Sequence, residues 1–225
     1  MNNKEKKLIE KWKDQIQGDW KESNKNEKRK YLELYDPTSS YAAKYPEGAG
    51  SGNHGKGMVE YLKSKNPQGV LDVGCGQGQF LQSIADDIPN LIGADIASVT
   101  AGKTIEDDRI LFIDSDALSL DLPDNIVDYV VSFDCLEHCL EEDIEDIISN
   151  FARMARKGFI FSITYRQAHA KSEHGENLHM TVKPESWWIS IIEKHANLVH
   201  KEGSASWGGI ESAKGSKYLC FELKD

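Results

Sequence analysis

Cysteine is scarce in this chain of 225 residues, which holds four: Cys75, Cys135, Cys139 and Cys220. Their spacing matches neither the C-x-x-C pairs of a zinc site nor the framework of a small disulfide-stapled domain. Reduced thiols in a cytoplasmic setting are therefore expected. Long hydrophobic runs are missing too. No stretch approaches the roughly 20 apolar residues of a membrane span, so none is expected. The opening residues, MNNKEKKLIEKWKDQ, lack the apolar centre of a secretory signal. Positive charge is in short supply, with 27 Lys and Arg against 37 Asp and Glu, a net charge of −10. The shortage is uneven: residues 1–30 hold ten basic and six acidic residues, and the remainder holds 17 and 31. A body this acidic repels phosphate backbones. Nucleic acid is disfavoured as a substrate without being excluded, because the basic N-terminal arm could touch one; a solvated charged helix is the plainer reading of that arm.

What is present suits a soluble α/β protein. Apolar residues make up 39% and charged residues 28%, and the length suffices for one α/β domain with a short extension. Leu8, Ile9, Trp12, Ile16 and Trp20 recur at helical spacing, and Tyr31, Leu32, Leu34 and Tyr35 form a second helical or packed segment. Asp36-Pro37 breaks it, and a Ser, Gly and Tyr-rich loop runs to about Gly57. From Met58 onward helices and strands alternate. Helices are expected over Met58–Lys65, Gln79–Asp86, Ser98–Lys103, Glu141–Arg156 and Pro184–His195. Strands are expected at GVLDV, LIGAD, ILFID, VDYVVSF, GFIFSITY, Asn197–Gly203 and KYLCFEL. This alternation predicts a Rossmann-like, doubly wound, mostly parallel sheet covered on both faces. The division expected is an N-terminal helical extension and loop over residues 1–57, with a lid role open to it, and one domain over 58–225.

The stretch VLDVGCGQGQF, Val70 to Phe80, places three glycines in five residues directly after an apolar strand. Glycine serves where the backbone must take positive φ or let a ligand come close. The third glycine comes one residue too early for the dinucleotide fingerprint G-x-G-x-x-G, and no Walker lysine follows. A cofactor without phosphate, approaching through an amino-acid part, suits the turn better. With Asp95 ending the second strand and Ser115-Asp116-Ala117-Leu118 after the third, the chain resembles the class I S-adenosylmethionine-dependent methyltransferases. The resemblance covers about Gly55 to Asp225 and is sharpest at residues 70–80. It implies a seven-stranded sheet whose last strand is antiparallel. It also implies a cofactor site of Asp72, Gly74, Cys75, Gly76, Gly78, Asp95, Ile96, Asp116, Ala117 and Phe133. In it the glycines give the methionine moiety room and Asp72 orients the loop or the ammonium group. Asp95 accepts both ribose hydroxyls, Asp116 and the Ala117 main chain meet the adenine edge, and Phe133 lies near the cofactor. Taken singly, Asp95 reads as a helix N-cap and Asp116 as a turn residue.

The stretch SFDCLEHCLEED follows the fourth strand. If a helix begins there, Asp134, Glu137 and His138 share one face, a donor set suited to Mg2+, Mn2+ or Zn2+. The pattern resembles methyltransferases with an acidic-x-x-Glu-His motif, among them the O-methyltransferases of ubiquinone synthesis and the 2′-O-methyltransferases of small-RNA ends. In those families the motif binds metal, and the RNA enzymes add a later histidine, a place held here by His179. Asp134 stands where they carry Glu. The candidate metal set is thus Asp134, Glu137, His138 and His179, with Mg2+ or Mn2+ as the ion and Glu137, His138 and His179 as candidate catalytic residues. Two readings compete with it: His138 as a metal-free general base, and His138 as a structural residue. Trp187 and Trp188 are candidates for stacking on a sugar or base, with one of the two expected in the core, and Tyr41, Tyr45 and Tyr165 are candidates for lining the acceptor site. His54 is a candidate contact for the cofactor carboxylate, and His169 and His174 fall in a polar, lid-like loop. The function expected is S-adenosylmethionine-dependent O-methylation of a sugar, a polyol-like metabolite or a glycan. RNA 2′-O-methylation and a cofactor-binding module without catalysis are the alternatives.

Overall fold

A computed structural model describes residues 22–44, 56–99, 101–169, 171–172, 174–201 and 216–223. The helix expected around Leu8 to Trp20, with Tyr45 and His54, lies outside these residues. Helix α1 (Glu22–Tyr35) and the short α2 (Ser40–Lys44) precede α3 (Lys56–Ser64). The alternating part runs β1 (Val70–Val73), α4 (Gln79–Ile84), β2 (Leu91–Asp95), β3 (Ile110–Asp114) and β4 (Val127–Phe133). Two 3-10 turns, Leu136–His138 and Glu141–Asp143, lead into α5 (Ile144–Met154), β5 (Ala155–Thr164), α6 (Glu185–His195), β6 (Leu198–His200) and β7 (Ser216–Leu223).

The strands form one seven-stranded sheet in the order β3-β2-β1-β4-β5-β7-β6. Strands β1 to β5 are parallel, and β7 runs antiparallel to both β5 and β6, as expected. Every residue of β1, β2 and β4 is buried, which is why these segments read as unbroken apolar runs rather than alternating ones. Alternate residues feed two cores. On one face Val70 and Val131 meet Met58 and Leu62 of α3 and Phe80 and Leu81 of α4. On the other Leu71, Phe159 and Phe161 meet Ile148 and Phe151 of α5 and Trp188 and Ile192 of α6. Because β1 has β2 on one side and β4 on the other, the chain winds outward in both directions from it. Such a reversal opens a crevice at the carboxyl ends of the strands.

Several boundaries differ from the sequence expectation. The helix expected over Ser98–Lys103 is a set of turns. The Oδ1 of Asp95 takes the N–H groups of Ala97 and Ser98, and Gly102, at φ 63°, ends the coil before a helix can extend. The helix expected over Glu141–Arg156 begins as a 3-10 turn and stops at Met154, because Ala155 already pairs with Val127 in the sheet. The strand expected over Asn197–Gly203 is limited to Leu198–His200 among the described residues.

Candidate active site

The glycine turn follows from strand β1 having to reverse into α4. Gly74, Gly76 and Gly78 all take positive φ, at 78°, 53° and 94°. The N–H groups of Gly74 and Cys75 both donate to the Ala94 carbonyl, at 2.8 and 3.1 Å, which ties the turn to β2. The three glycines do different work. A side chain at Gly74 would collide with Cys135, and one at Gly78 would collide with the Phe112 ring. One at Gly76 would come no closer than 3.8 Å to anything, and that neighbour is the Tyr35 hydroxyl. Gly74 and Gly76 line a cleft of about 440 Å3 at the carboxyl ends of β1 and β4. Gly78 and Cys75 do not. Gly78 packs behind the wall, and the Cys75 thiol lies in the core beside Gly93. Of the three glycines expected to give the methionine moiety room, Gly74 and Gly76 lie on the cleft wall and Gly78 lies behind it.

Asp95 lies on the cleft wall and is 7% exposed. Its Oδ1 accepts from the N–H groups of Ala97 at 2.9 Å and Ser98 at 2.7 Å, and its Oδ2 from Gly76 at 3.0 Å. With two lone pairs per oxygen, Oδ1 is filled and Oδ2 has one left. The Oδ2 therefore keeps one lone pair for a further hydrogen bond. Burial pushes its pKa up, with the three N–H groups opposing. Asp72 sits beneath the turn, off the cleft wall, with Oδ1 unpartnered, and burial together with Asp95 raises its pKa well above the carboxylate range. Asp116, Ala117, Ile96 and Phe133 all reach the cleft. Asp116 accepts from the Ser119 N–H at 2.7 Å through Oδ1, while its Oδ2 is buried with no partner.

At the other end of the cleft Asp134 reverses the chain after β4. It takes φ 48° and its N–H donates to the Ser162 carbonyl at 2.9 Å, so no helix begins there. The common helix face expected for Asp134, Glu137 and His138 is therefore absent. The ligand atoms of Glu137, His138 and His179 do come together, within 4.8 Å of one another. Asp134 stands outside this group, open to the cleft, accepting from Ser162 Oγ at 2.9 Å. Glu137 is fully buried. Its Oε1 accepts from the Thr164 N–H at 3.1 Å, and its Oε2 has no partner. Burial, and then the nearby Asp134, push its pKa up to about 8.

Each histidine is fixed by main chain. The Leu178 carbonyl lies 2.8 Å from Nδ1 of His138, and the Arg166 carbonyl lies 2.6 Å from Nδ1 of His179. A carbonyl can only accept, so each Nδ1 carries the proton and each Nε2 keeps its lone pair. The rings meet edge to face with centroids 4.7 Å apart. Burial, followed by the neighbouring His179, lowers the His138 pKa to about 4, so its imidazole is neutral at physiological pH.

Sequence reasoning missed what α1 contributes. Tyr31 and Tyr35 line the cleft, and the Tyr31 hydroxyl lies 2.7 Å from Nδ1 of His138. Their helical spacing was visible, but the surfaces they face, at His138 for Tyr31 and Gly76 for Tyr35, were not. Tyr41 lines the cleft as expected; Tyr165 packs against the core instead. Neither Trp187 nor Trp188 reaches the cleft. Trp188 is fully buried in the core, and Trp187 lies beneath the Lys183 ammonium at 5.6 Å. Trp188 is thus the one of the pair expected in the core. His169 lines the cleft, and His174 lies at the surface near Glu33.

Residues 71–163 match the family model described as a methyltransferase domain. That match spans less than half of the chain and marks the segment from Leu71 to Ile163 as a methyltransferase domain. Phosphoethanolamine N-methyltransferase 2 of Caenorhabditis elegans is 26% identical over 147 residues, which are 62% of this chain and 33% of that protein. The matches to curated relatives span between 33% and 48% of their lengths. Among solved structures, the Burkholderia thailandensis 1,6-didemethyltoxoflavin-N1-methyltransferase, bound to 1,6-didemethyltoxoflavin and S-adenosylhomocysteine, has a TM-score of 0.59 at 14% identity. The likeness covers 87% of this chain and 88% of that one. Haemonchus contortus phosphoethanolamine N-methyltransferase 2, in complex with S-adenosyl-L-methionine, has a TM-score of 0.57 at 14% identity, over 86% of this chain and 60% of that one. At this identity the two structures share a fold with the chain. No described helix is long and apolar enough to cross a membrane.

Proposed function

We propose that this chain transfers a methyl group from S-adenosylmethionine to a hydroxyl of a small polar acceptor, of the sugar, polyol or glycan kind. The observation that carries the reading is that the Gly74–Gly76 wall and the Glu137, His138 and His179 group share one cleft. The cofactor supplies an electrophilic methyl group on a sulfonium. The residues present fit it. Gly76 leaves the wall open, Asp95 Oδ2 has one lone pair for a ribose hydroxyl, and the orphaned Asp116 Oδ2 suits the adenine amino group. Asp72 stands behind the turn with its buried Oδ1 unpartnered. The described part of the 1–57 extension covers the cleft through Tyr31, Tyr35 and Tyr41, which supports a lid role for it.

At the acceptor end, Glu137, His138 and His179 would hold a divalent cation such as Mg2+ or Mn2+. The donors fit: one unpartnered buried carboxylate oxygen and two imidazole nitrogens whose opposite N–H groups are tied to carbonyls. Such an ion would lower the pKa of an acceptor oxygen. Alone, an imidazole with a pKa of about 4 is a weak base for a hydroxyl near pKa ~15, which favours this reading over a metal-free histidine base. Asn24, Tyr31 and Thr164 add uncharged hydrogen-bonding groups to the same end, as a hydroxylated acceptor would need.

A nitrogen acceptor is the second reading, favoured by the N-methyltransferases among the similar proteins. RNA 2′-O-methylation shares the donor set and is opposed by the acidic body. S-adenosylhomocysteine release is to be followed over a panel of sugars, polyols, amines and a short RNA, with Mn2+ and with chelator. Turnover of a hydroxyl compound, lost in chelator, restored by Mn2+ and absent in Glu137→Ala, is expected. Full turnover in chelator removes the cation, and turnover of amines alone removes the hydroxyl.

A further inference from the structure

Tyr35 closes helix α1, and its hydroxyl reaches the cofactor end of the cleft. It is the nearest atom, at 3.8 Å, to the point where a side chain at Gly76 would begin. Among the described residues that hydroxyl has no hydrogen-bond partner, whereas the hydroxyl of Tyr31, one helical turn earlier, is engaged by His138. The backbone around Tyr35 is held firmly. Leu34 is 1% exposed, Ser39 Oγ donates to the Leu34 carbonyl at 2.7 Å, and Lys28 ties the helix to Asp114 at the end of β3 at 2.5 Å. A fixed donor with no acceptor, aimed over a glycine wall, is a group that waits for a ligand.

The charges nearby say which part of the ligand it meets. Burial and then the Asp95 carboxylate hold the phenol far above its ordinary pKa, so it stays protonated and can only gain by donating. The acidic groups on the wall at this end are Asp95 and Asp116, and Asp72, beneath the turn, is pushed toward its neutral form by burial. Among the described residues of the cleft wall there is no lysine, and the single arginine, Arg166, stands beside Asp134 at the far end. An anionic group laid on the Gly74–Gly76 turn would meet the Asp95 carboxylate and, among the described residues of the cleft wall, no cation at this end. It needs a neutral donor. The α-carboxylate is the one anionic group of S-adenosylmethionine.

Resting on the function proposed above, we infer that Tyr35 is a cofactor-binding residue whose O–H donates to the α-carboxylate of the amino-acid tail. The helical extension then grips the ligand from the side opposite the glycine turn.

The test compares two ligands by calorimetry. S-adenosylhomocysteine carries the tail; 5′-methylthioadenosine keeps adenine, ribose and sulfur and lacks it. In Tyr35→Phe, affinity for S-adenosylhomocysteine should fall by ~10-fold or more, as for a lost hydrogen bond to a charged group, with 5′-methylthioadenosine unchanged. Unchanged affinity for both ligands overturns the inference. So does an equal loss on both, which would mean a ribose contact or a damaged fold. If the unaltered protein binds neither ligand, it is the proposed function that fails, and the two failures are distinguishable.

Discussion

A methyl group added at Gly78 would run into the Phe112 ring, whereas one added at Gly76 would project toward the cleft with only the Tyr35 hydroxyl near it. The two substitutions should therefore part company. Both pay the left-handed backbone, roughly 1–2 kcal/mol, and Gly78→Ala adds overpacking of about 1–3 kcal/mol. Thermal unfolding should show the larger loss for Gly78→Ala. Titration with S-adenosylhomocysteine should show the larger loss for Gly76→Ala, whose added carbon narrows the cleft. The reverse order would mean that the wall has been assigned to the wrong glycine. At this scale the sequence was a partial guide. It marked Asp95, Asp116, Glu137, His138 and His179, all of which reach one cleft. It could not show that three backbone N–H groups already occupy most of Asp95, nor that Asp134 turns left-handed and leaves the Glu137 group. Both depend on the local path of the backbone, which residue types alone do not fix.

Helix α3 is tied to β7 by a cluster around Glu222. The Tyr61 hydroxyl donates to Oε1, Lys65 pairs with it at 2.7 Å, and Lys201 pairs with Oε2 at 3.3 Å. Burial works against the charge, but the bonds from Lys65, Tyr61 and Lys201 prevail and hold the pKa at about 2, below the ordinary value near 4.5. A carboxyl depressed in this way contributes stability above pH ~4.5, and the contribution drains away as pH falls through about 2. Glu222→Gln should unfold more readily than the parent at pH 7, and the gap should close toward pH 2. A gap independent of pH would contradict the ionic account. The elements themselves were legible where strands are buried on both faces, since the runs VLDV and VDYVVSF admit few other readings. Ends were less so. The Ser98–Lys103 segment has helix-compatible residues and the Asp95 side chain caps the N–H groups that lead into it, yet Gly102, at φ 63°, stops it. For α1 the periodicity was visible, but its docking over the cleft joins Lys28 to Asp114 and Tyr31 to His138. Contacts that distant leave no local mark.

Across the whole molecule, the sheet sets β1 and β4 side by side at its reversal point, so the glycine turn after β1 and the Glu137–His138 turn after β4 open on the same crevice. That adjacency is a property of the topology, and it puts a cofactor and an acceptor within reach of each other without either segment knowing of the other in sequence. Helix α1 completes the enclosure from outside the sheet, with one tyrosine toward each end. The central claim is that this crevice receives S-adenosylmethionine against the Gly74–Gly76 wall with Asp95 on its ribose. Calorimetric titration of S-adenosylhomocysteine into the full chain and into Asp95→Ala tests it most directly. One equivalent bound by the parent, with affinity lost by ~10-fold or more in the variant, is the predicted result. No uptake by the parent, or equal affinity in the two proteins, would contradict it.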